Sequence, residues 1–268
     1  MKYSVFTVIM QEFSLLEVVQ ILGEIGYDGV EWRVRDDGKH IHPKEIVERA
    51  EEVKRISEEN GLEIPALATY LPLEELETIK EVFEGAKAMG APMVRVAAPR
   101  YRRKADYNEL CSLAIKKLEE IEKLAKSAGV KTLLEIHMGN IMPSASAAYR
   151  IVRNFDPERL GVIFDPGNMM REGYEDWRLG MELLGPYLAH IHLKNTKWEE
   201  SERRDDGTVV WKPTWCALRE GLVDWADVMA QIKFCGYKGY ISSENFAQVL
   251  PTREKLADDL NYLRSLEG

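Results

Sequence analysis

Short apolar runs alternate along the chain with longer stretches in which apolar residues recur every three or four positions. In five copies a glycine separates the two: ILGEIG-YDGVEW (21–32), ISEENG-LEIPAL (56–67), AKAMG-APMVRVA (86–97), KSAG-VKTLLEI (126–136) and IKFCG-YKGYISSE (232–244). The longer stretches have the period of an amphipathic helix. A glycine just past a helix suits a left-handed cap, where a Cβ would clash. The runs that follow are short and rich in Val, Ile and Leu, as strands buried on both faces should be. SVFTVIM (4–10), LGVIFD (160–165) and LAHIHLK (188–194) read the same way, which makes eight strands. One βα unit per about 33 residues implies a parallel sheet.

Eight such units favour closure into a single (β/α)8 barrel, an α/β fold, with residues 1–268 forming one domain. No G-x-G-x-x-G follows the first strand and no Walker-type loop is present, which weighs against an open, doubly wound sheet. The longest irregular stretch, 195–221, follows the seventh strand and carries Trp198, Trp211 and Trp215. A loop of that length is usually a lid or a binding loop. Its rings either stack on a sugar face or anchor the loop to the barrel.

Composition narrows the choice of function. Apolar residues make up 45% and charged residues 30%, enough for a large core under a charged surface. The net charge of -9 argues against nucleic acid as a partner. The one basic cluster, Arg100, Arg102, Arg103 and Lys104, is expected to be a solvated loop, with phosphate binding as the alternative. Cys111, Cys216 and Cys235 form no CxxC pair and are odd in number, which fits a reducing cytoplasm without disulfides. The N-terminal apolar run lacks a small-residue cleavage site and reads as a strand. No stretch approaches the roughly 20 apolar residues of a membrane span.

In a β/α barrel the active site lies at the C-terminal ends of the strands. The fifth strand offers Glu135 and His137, the sixth ends in Asp165 before Pro166-Gly167, the seventh offers His190, His192 and Lys194, and the eighth ends in Glu244. Side chains alternate faces along a strand, so Glu135 with His137, and His190 with His192 and Lys194, share inward parity. Three converging carboxylates repel one another, and a buried carboxylate is costly unless paired or metal-bound. A divalent cation between Glu135, Asp165, His192 and Glu244 would relieve both penalties. This mainly oxygen set suits Mn²⁺, Co²⁺, Mg²⁺ or Zn²⁺. Taken singly, each residue has a plain explanation: a turn for Asp165, a cap for Glu244, a core histidine for His192, an ion pair with Arg95 or Lys194 for Glu135. Four ligand types at four successive strand ends are a far more specific signal.

The ordered segments GYDGVEW (26–32), LLEIH (133–137), FDPGN (164–168), HIHLKN (190–195) and EGLVDW…GYKGYISSE (220–244) resemble the xylose isomerase-like barrel superfamily of sugar-phosphate isomerases and epimerases. The resemblance covers nearly the whole chain. It implies that Glu135, Asp165, His192 and Glu244 bind one Mn²⁺-type ion and that, as in the epimerase branch, Glu135 and Glu244 also move protons. Asn168 stands where many members carry a histidine, so that polar contact differs. The apurinic endonuclease branch uses three zinc ions and several histidines. This chain has five histidines, none near Thr69 or Ala98 at the ends of the third and fourth strands, so a three-metal nuclease site does not assemble.

The expected activity is therefore a metal-dependent isomerisation or epimerisation of a small keto sugar or related polyhydroxy carbonyl through an enediolate. The alternative on the same site is a dehydratase of the inosose or dehydroshikimate type. A non-catalytic barrel is a third possibility. Lys194 is expected either to hold a substrate oxygen or phosphate or to pair with a ligand carboxylate, and His137 to bind a substrate hydroxyl. His190 is expected to make a structural hydrogen bond. Glu31 and Arg33, inward at the end of the second strand, either bind substrate or pair with each other, the pair being favoured. Asn168 completes the expected substrate contacts. The expected partner is a small carbohydrate, and exposed helices leave room for a homo-oligomer.

Overall fold

The computed structural model describes residues 1–267. Eight parallel strands close into a barrel: β1 (Lys2–Phe6), β2 (Gly29–Val34), β3 (Leu67–Pro72), β4 (Met93–Ala97), β5 (Lys131–Glu135), β6 (Leu160–Phe164), β7 (Leu188–Leu193) and, after an inserted hairpin, β10 (Tyr240–Ser243). The hairpin is β8 (Asn195–Arg203) and β9 (Val209–Cys216). Each strand pairs with its neighbour in chain order, and β10 closes on β1. The outer helices are α1 (Leu15–Ile25), α2 (Ile46–Glu59), α3 (Leu76–Met89), α4 (Tyr107–Ala128), α5 (Ala145–Val152), the one-turn α6 (Pro166–Met169), α7 (Trp177–Leu184), α8 (Trp225–Phe234) and α9 (Thr252–Ser265).

Local chemistry accounts for the alternation. Ser14 caps α1 in a reciprocal capping box with Glu17, and Gly26 closes that helix at φ 93°. Gly90 and Gly129 end α3 and α4 in the same left-handed conformation. The main core lies between strands and helices, where Val30, Trp32, Val94, Val162 and Ile191 meet apolar helix faces. A smaller cluster, Ala66, Leu133 and Ile163, fills the barrel interior on the N-terminal side of the site. Among the described residues, no helix is long and apolar enough to cross a membrane.

Three expectations are corrected. The third strand begins at Leu67, where the 62–67 run ends. Pro65 has no N–H to donate, so residues 62–66 approach through a single bridge between Glu63 and Gly29 before the ladder starts. The first strand stops at Phe6, and Thr7–Ile9 form a 3₁₀ turn whose Thr7 hydroxyl accepts the Arg33 N–H. Residues 195–221 are largely ordered as the β8–β9 hairpin, paired from Asn195↔Cys216 to Arg203↔Val209. The turn at Asp206-Gly207, with Gly207 at φ 85°, is the signal that distinguishes this hairpin from a coil.

Candidate metal centre and active site

The four residues expected as ligands converge. One ligand atom from each of Glu135, Asp165, His192 and Glu244 lies within 4.8 Å of all the others, and all four side chains are buried. Glu135 ends β5, Asp165 follows β6, His192 lies on β7 and Glu244 follows β10. Asp165 caps α6, with Oδ1 accepting the Asn168 N–H at 2.9 Å, while Oδ2 faces the cluster. The turn-forming role of an Asp before Pro-Gly and its place in the site are therefore one arrangement. Gly167 permits it: a Cβ there would sit 2.5 Å from Lys194 Cγ.

His192 is oriented from both sides. Nε2 lies 3.2 Å from Glu31, and Nδ1 faces Glu135 at 3.3 Å, Glu244 at 3.5 Å and Asp165 at 3.9 Å. A carboxylate holding one ring nitrogen while the other faces a ligand cluster is how metal-ligating histidines are commonly positioned. Phe6 stacks on the His192 ring at 5.6 Å. Glu31 also holds His190 Nε2 at 3.0 Å, and is itself fully buried. The favoured Glu31–Arg33 pair is not formed. Arg33, also buried, pairs with Asp37 four residues on, because Glu31 is already taken by the two histidines.

A divalent ion was the expected remedy for crowded carboxylates, with pairing to Arg95 or Lys194 as the alternative, and the alternative pairs are formed. Lys194 Nζ sits 2.7 Å from Asp165 Oδ2, in contact with Glu244 Oε2 and 3.7 Å from Glu135. Arg95 Nη1 donates to Glu135 Oε2 at 2.7 Å. Two fixed cations thus offset part of the charge. Burial alone would raise the Glu135 carboxyl, but Arg95, His192 and Lys194 outweigh it and hold it well below the carboxylate range. Burial, with Glu135 and Glu244 beside it, pushes Asp165 up to about 7 against the pull of Lys194. Burial disfavours the charged form of His192 and Lys194, yet the surrounding carboxylates keep both protonated above their usual range.

The donor set fits a divalent cation: three carboxylates and one imidazole, with a carboxylate behind the imidazole. Asn168 is fully buried beside them. Its Nδ2 donates to Glu135 Oε1 at 3.1 Å, Asp165 Oδ2 at 2.9 Å and the Ile136 carbonyl at 3.1 Å, and its Oδ1 has no partner. It lies against the ligands. His137 is half-buried, with Nδ1 2.6 Å from the Met138 carbonyl. It lines a cavity of about 100 Å³ with Glu135, Arg95 and Tyr70.

Residue-by-residue reading of the sequence missed several neighbours. Tyr70 lies against the Arg95 guanidinium at 4.6 Å, and Trp215 and Phe246 flank Lys194 Nζ at 5.5 and 5.7 Å. None of these aromatics belongs to a recognisable motif, although Trp215 lies in the stretch singled out for its tryptophans. That ring is half-buried, packs on Phe246 at 5.5 Å and carries Arg171 at 3.4 Å from its centroid.

A closed β/α barrel with a ligand-type cluster at its C-terminal mouth defines a class of barrel proteins built around one site. Residues 19–266 match the model of the xylose isomerase-like TIM barrel family, and the chain belongs to that family. It is 24% identical over 265 residues to an uncharacterized protein of Methanocaldococcus jannaschii, covering 91% of this chain and 84% of the relative. It is 23% identical over 135 residues to the inosose dehydratase of Geobacillus kaustophilus, covering 47% and 42%. The match thus spans less than half the length of that dehydratase. Among solved structures, the fold is similar to 3-keto-D-glucoside 4-epimerase of E. coli, with TM-score 0.77, 18% identity and 99% of both chains covered. A probable 3-DHS dehydratase of Bacillus anthracis gives TM-score 0.78 at 17% identity, covering 98% and 99%. The IOLI protein with a bound zinc atom gives 0.75 at 19%, covering 100% and 96%.

Proposed function

We propose that the chain is a divalent-metal-dependent enzyme of carbohydrate metabolism that isomerises or epimerises a small keto sugar or related polyhydroxy carbonyl, working in the cytoplasm. The observation that carries this reading is the convergence of four ligand atoms from four successive strand ends within 4.8 Å. Epimerases and dehydratases among the structural neighbours support it.

Glu135, Asp165, His192 and Glu244 would hold the ion, Mn²⁺ best matching the donors. A divalent ion there would polarise a carbonyl and stabilise negative charge developing on its oxygen. Asn168 fixes the Glu135 and Asp165 carboxylates, and Glu31 fixes the His192 ring, so ligand geometry is set before substrate arrives. Glu135 and Glu244 are the proton-transfer pair. One, as the carboxylate, removes the proton beside the carbonyl to give the enediolate, and the other, in its protonated form, donates its own proton to the opposite face or the neighbouring carbon. Lys194 and His137 contact substrate oxygens, and Trp215 with Phe246 covers an apolar sugar face.

A second reading is dehydration. His137 supplies a proton-transfer group in the same cavity as Glu135, which a leaving hydroxyl needs and a simple epimerisation does not. The test is incubation of the manganese-loaded protein with keto sugars in heavy water, followed by proton NMR. Deuterium entering beside the carbonyl is expected. A new conjugated ultraviolet chromophore would select dehydration. No exchange with any polyhydroxy carbonyl would sink both readings.

A further inference from the structure

Beside the ligand cluster, the ends of β3, β4 and β5 enclose the cavity of about 100 Å³, and its lining is unlike the rest of this acidic protein. Arg95, buried to 6% exposure, is fixed by Nε to the Thr69 carbonyl and by Nη1 to Glu135. Its Nη2 makes no hydrogen bond to the described protein and is not sealed off from the cavity. Tyr70 braces the guanidinium face. Asn140 spends its side-chain carbonyl on the Met142 N–H, which leaves its amide donors. His137 completes the wall, and Arg100 forms the rim. The loop that carries Arg100 is anchored: Tyr101 N–H donates to the Gly139 carbonyl, and Ile141 N–H donates to the Pro99 carbonyl.

Of the basic cluster expected from the sequence to be a solvated loop, Arg100 stands at the lip of the site, while Arg102, Arg103 and Lys104 are exposed and do not line the cavity. Among the described residues, neither Arg100 nor its neighbours Arg102, Arg103 and Lys104 is ion-paired, although the chain holds 45 acidic side chains to 36 basic ones. The one carboxylate lining the cavity is Glu135, already engaged by Arg95. One unpaired guanidinium at the rim and the unused Nη2 donor of Arg95 inside a partly desolvated pocket draw in an anion and hold it.

We infer that this cavity is an oxyanion subsite: the substrate carries a carboxylate or phosphate group, gripped by Arg95 and Arg100 while its polyhydroxy carbonyl faces the ligand cluster. The inference rests on the carbonyl chemistry proposed above and adds the substrate's charge. The volume admits one such group and little more, so the sugar portion must lie toward Glu135.

Calorimetric titration of the manganese-loaded protein with sorbitol, gluconate and sorbitol 6-phosphate tests it on one six-carbon polyol skeleton. At least one anion should bind tenfold or more tighter than sorbitol, and which one does so distinguishes carboxylate from phosphate. Arg100→Glu, a surface change that leaves the fold intact, should weaken that anion by about fivefold or more and leave sorbitol unchanged. Arg95→Lys, which keeps the charge but loses the planar fork, should weaken it further. Equal binding of all three polyols overturns the subsite. So does a preference that survives both substitutions, since the anion would then be held by the metal. Preference without deuterium exchange on any keto sugar leaves the subsite standing and removes the catalytic reading. Exchange on neutral sugars with no anion preference does the reverse.

Discussion

Lys194 carries one positive charge into the place where three carboxylates meet, with its ammonium flanked by the Trp215 and Phe246 rings. Its ammonium and a divalent ion answer the same electrostatic need. Lys194→Met keeps most of the volume and removes the charge, leaving Asp165 and Glu244 short of a partner. The metal-free protein should lose about 3–5 kcal/mol. Manganese should then raise its melting temperature more than it raises that of the unmodified protein. Equal shifts in scanning calorimetry would show that lysine and metal do not compete. Glu244→Gln keeps shape and loses the proposed proton-transfer group. Turnover should fall on the order of 10² or more with the circular dichroism unchanged, and near-normal turnover would remove Glu244 from the chemistry.

At the level of elements, β10 and α9 meet through a buried polar knot. Asp259 on α9 accepts from Asn245 Nδ2 at 3.0 Å and from the Ser243 hydroxyl at 3.3 Å. Burial pushes its carboxyl up to about 7 from an ordinary 3.8. Between those values the folded chain holds a proton that the unfolded chain has released. Stability is therefore highest below that window and falls as pH rises through it, by at most about 1.4 kcal/mol per pH unit. Asp259→Asn removes the titration. The variant should gain on the unmodified protein as pH rises from 4 to 8, read as the difference in urea midpoints. A constant difference would mean that Asp259 titrates normally. The β8–β9 hairpin is fixed at its base by Asn195, whose side chain bonds the Leu218 carbonyl and both backbone groups of Val223. That knot, and the Cβ-free Gly221 2.0 Å from Asn195 Oδ1 at an added Cβ, place Trp215 over the site.

For the whole molecule, the site ties together strands far apart in sequence, from Glu31 on β2 to Glu244 after β10. A ligand that bridges them stabilises the closed barrel as a unit. Manganese at 100 times its dissociation constant should add about 2.7 kcal/mol to the unfolding free energy, and chelation should reverse it. A melting temperature indifferent to both would exclude a resident metal at this cluster. Much of this was legible in advance. The glycine-punctuated alternation of helices and short apolar runs gave the barrel, and strand parity placed Glu135, His192 and Lys194 on one face. The pairing of Glu31 with His190 and His192 was not legible, because those partners are about 160 positions apart.

The chain alone determined the number of βα units, the inward parity of their residues and the ligand types at the strand ends, since each depends on spacing within a single element. The partner of each buried charge was decided only when the barrel closed. Glu31 turned to the histidines and not to Arg33, Lys194 entered the carboxylate cluster, and Arg100 came to the rim of Arg95's cavity. Electrostatic pairing falls off with distance in space, and distance in space between strands is a property of the closed sheet.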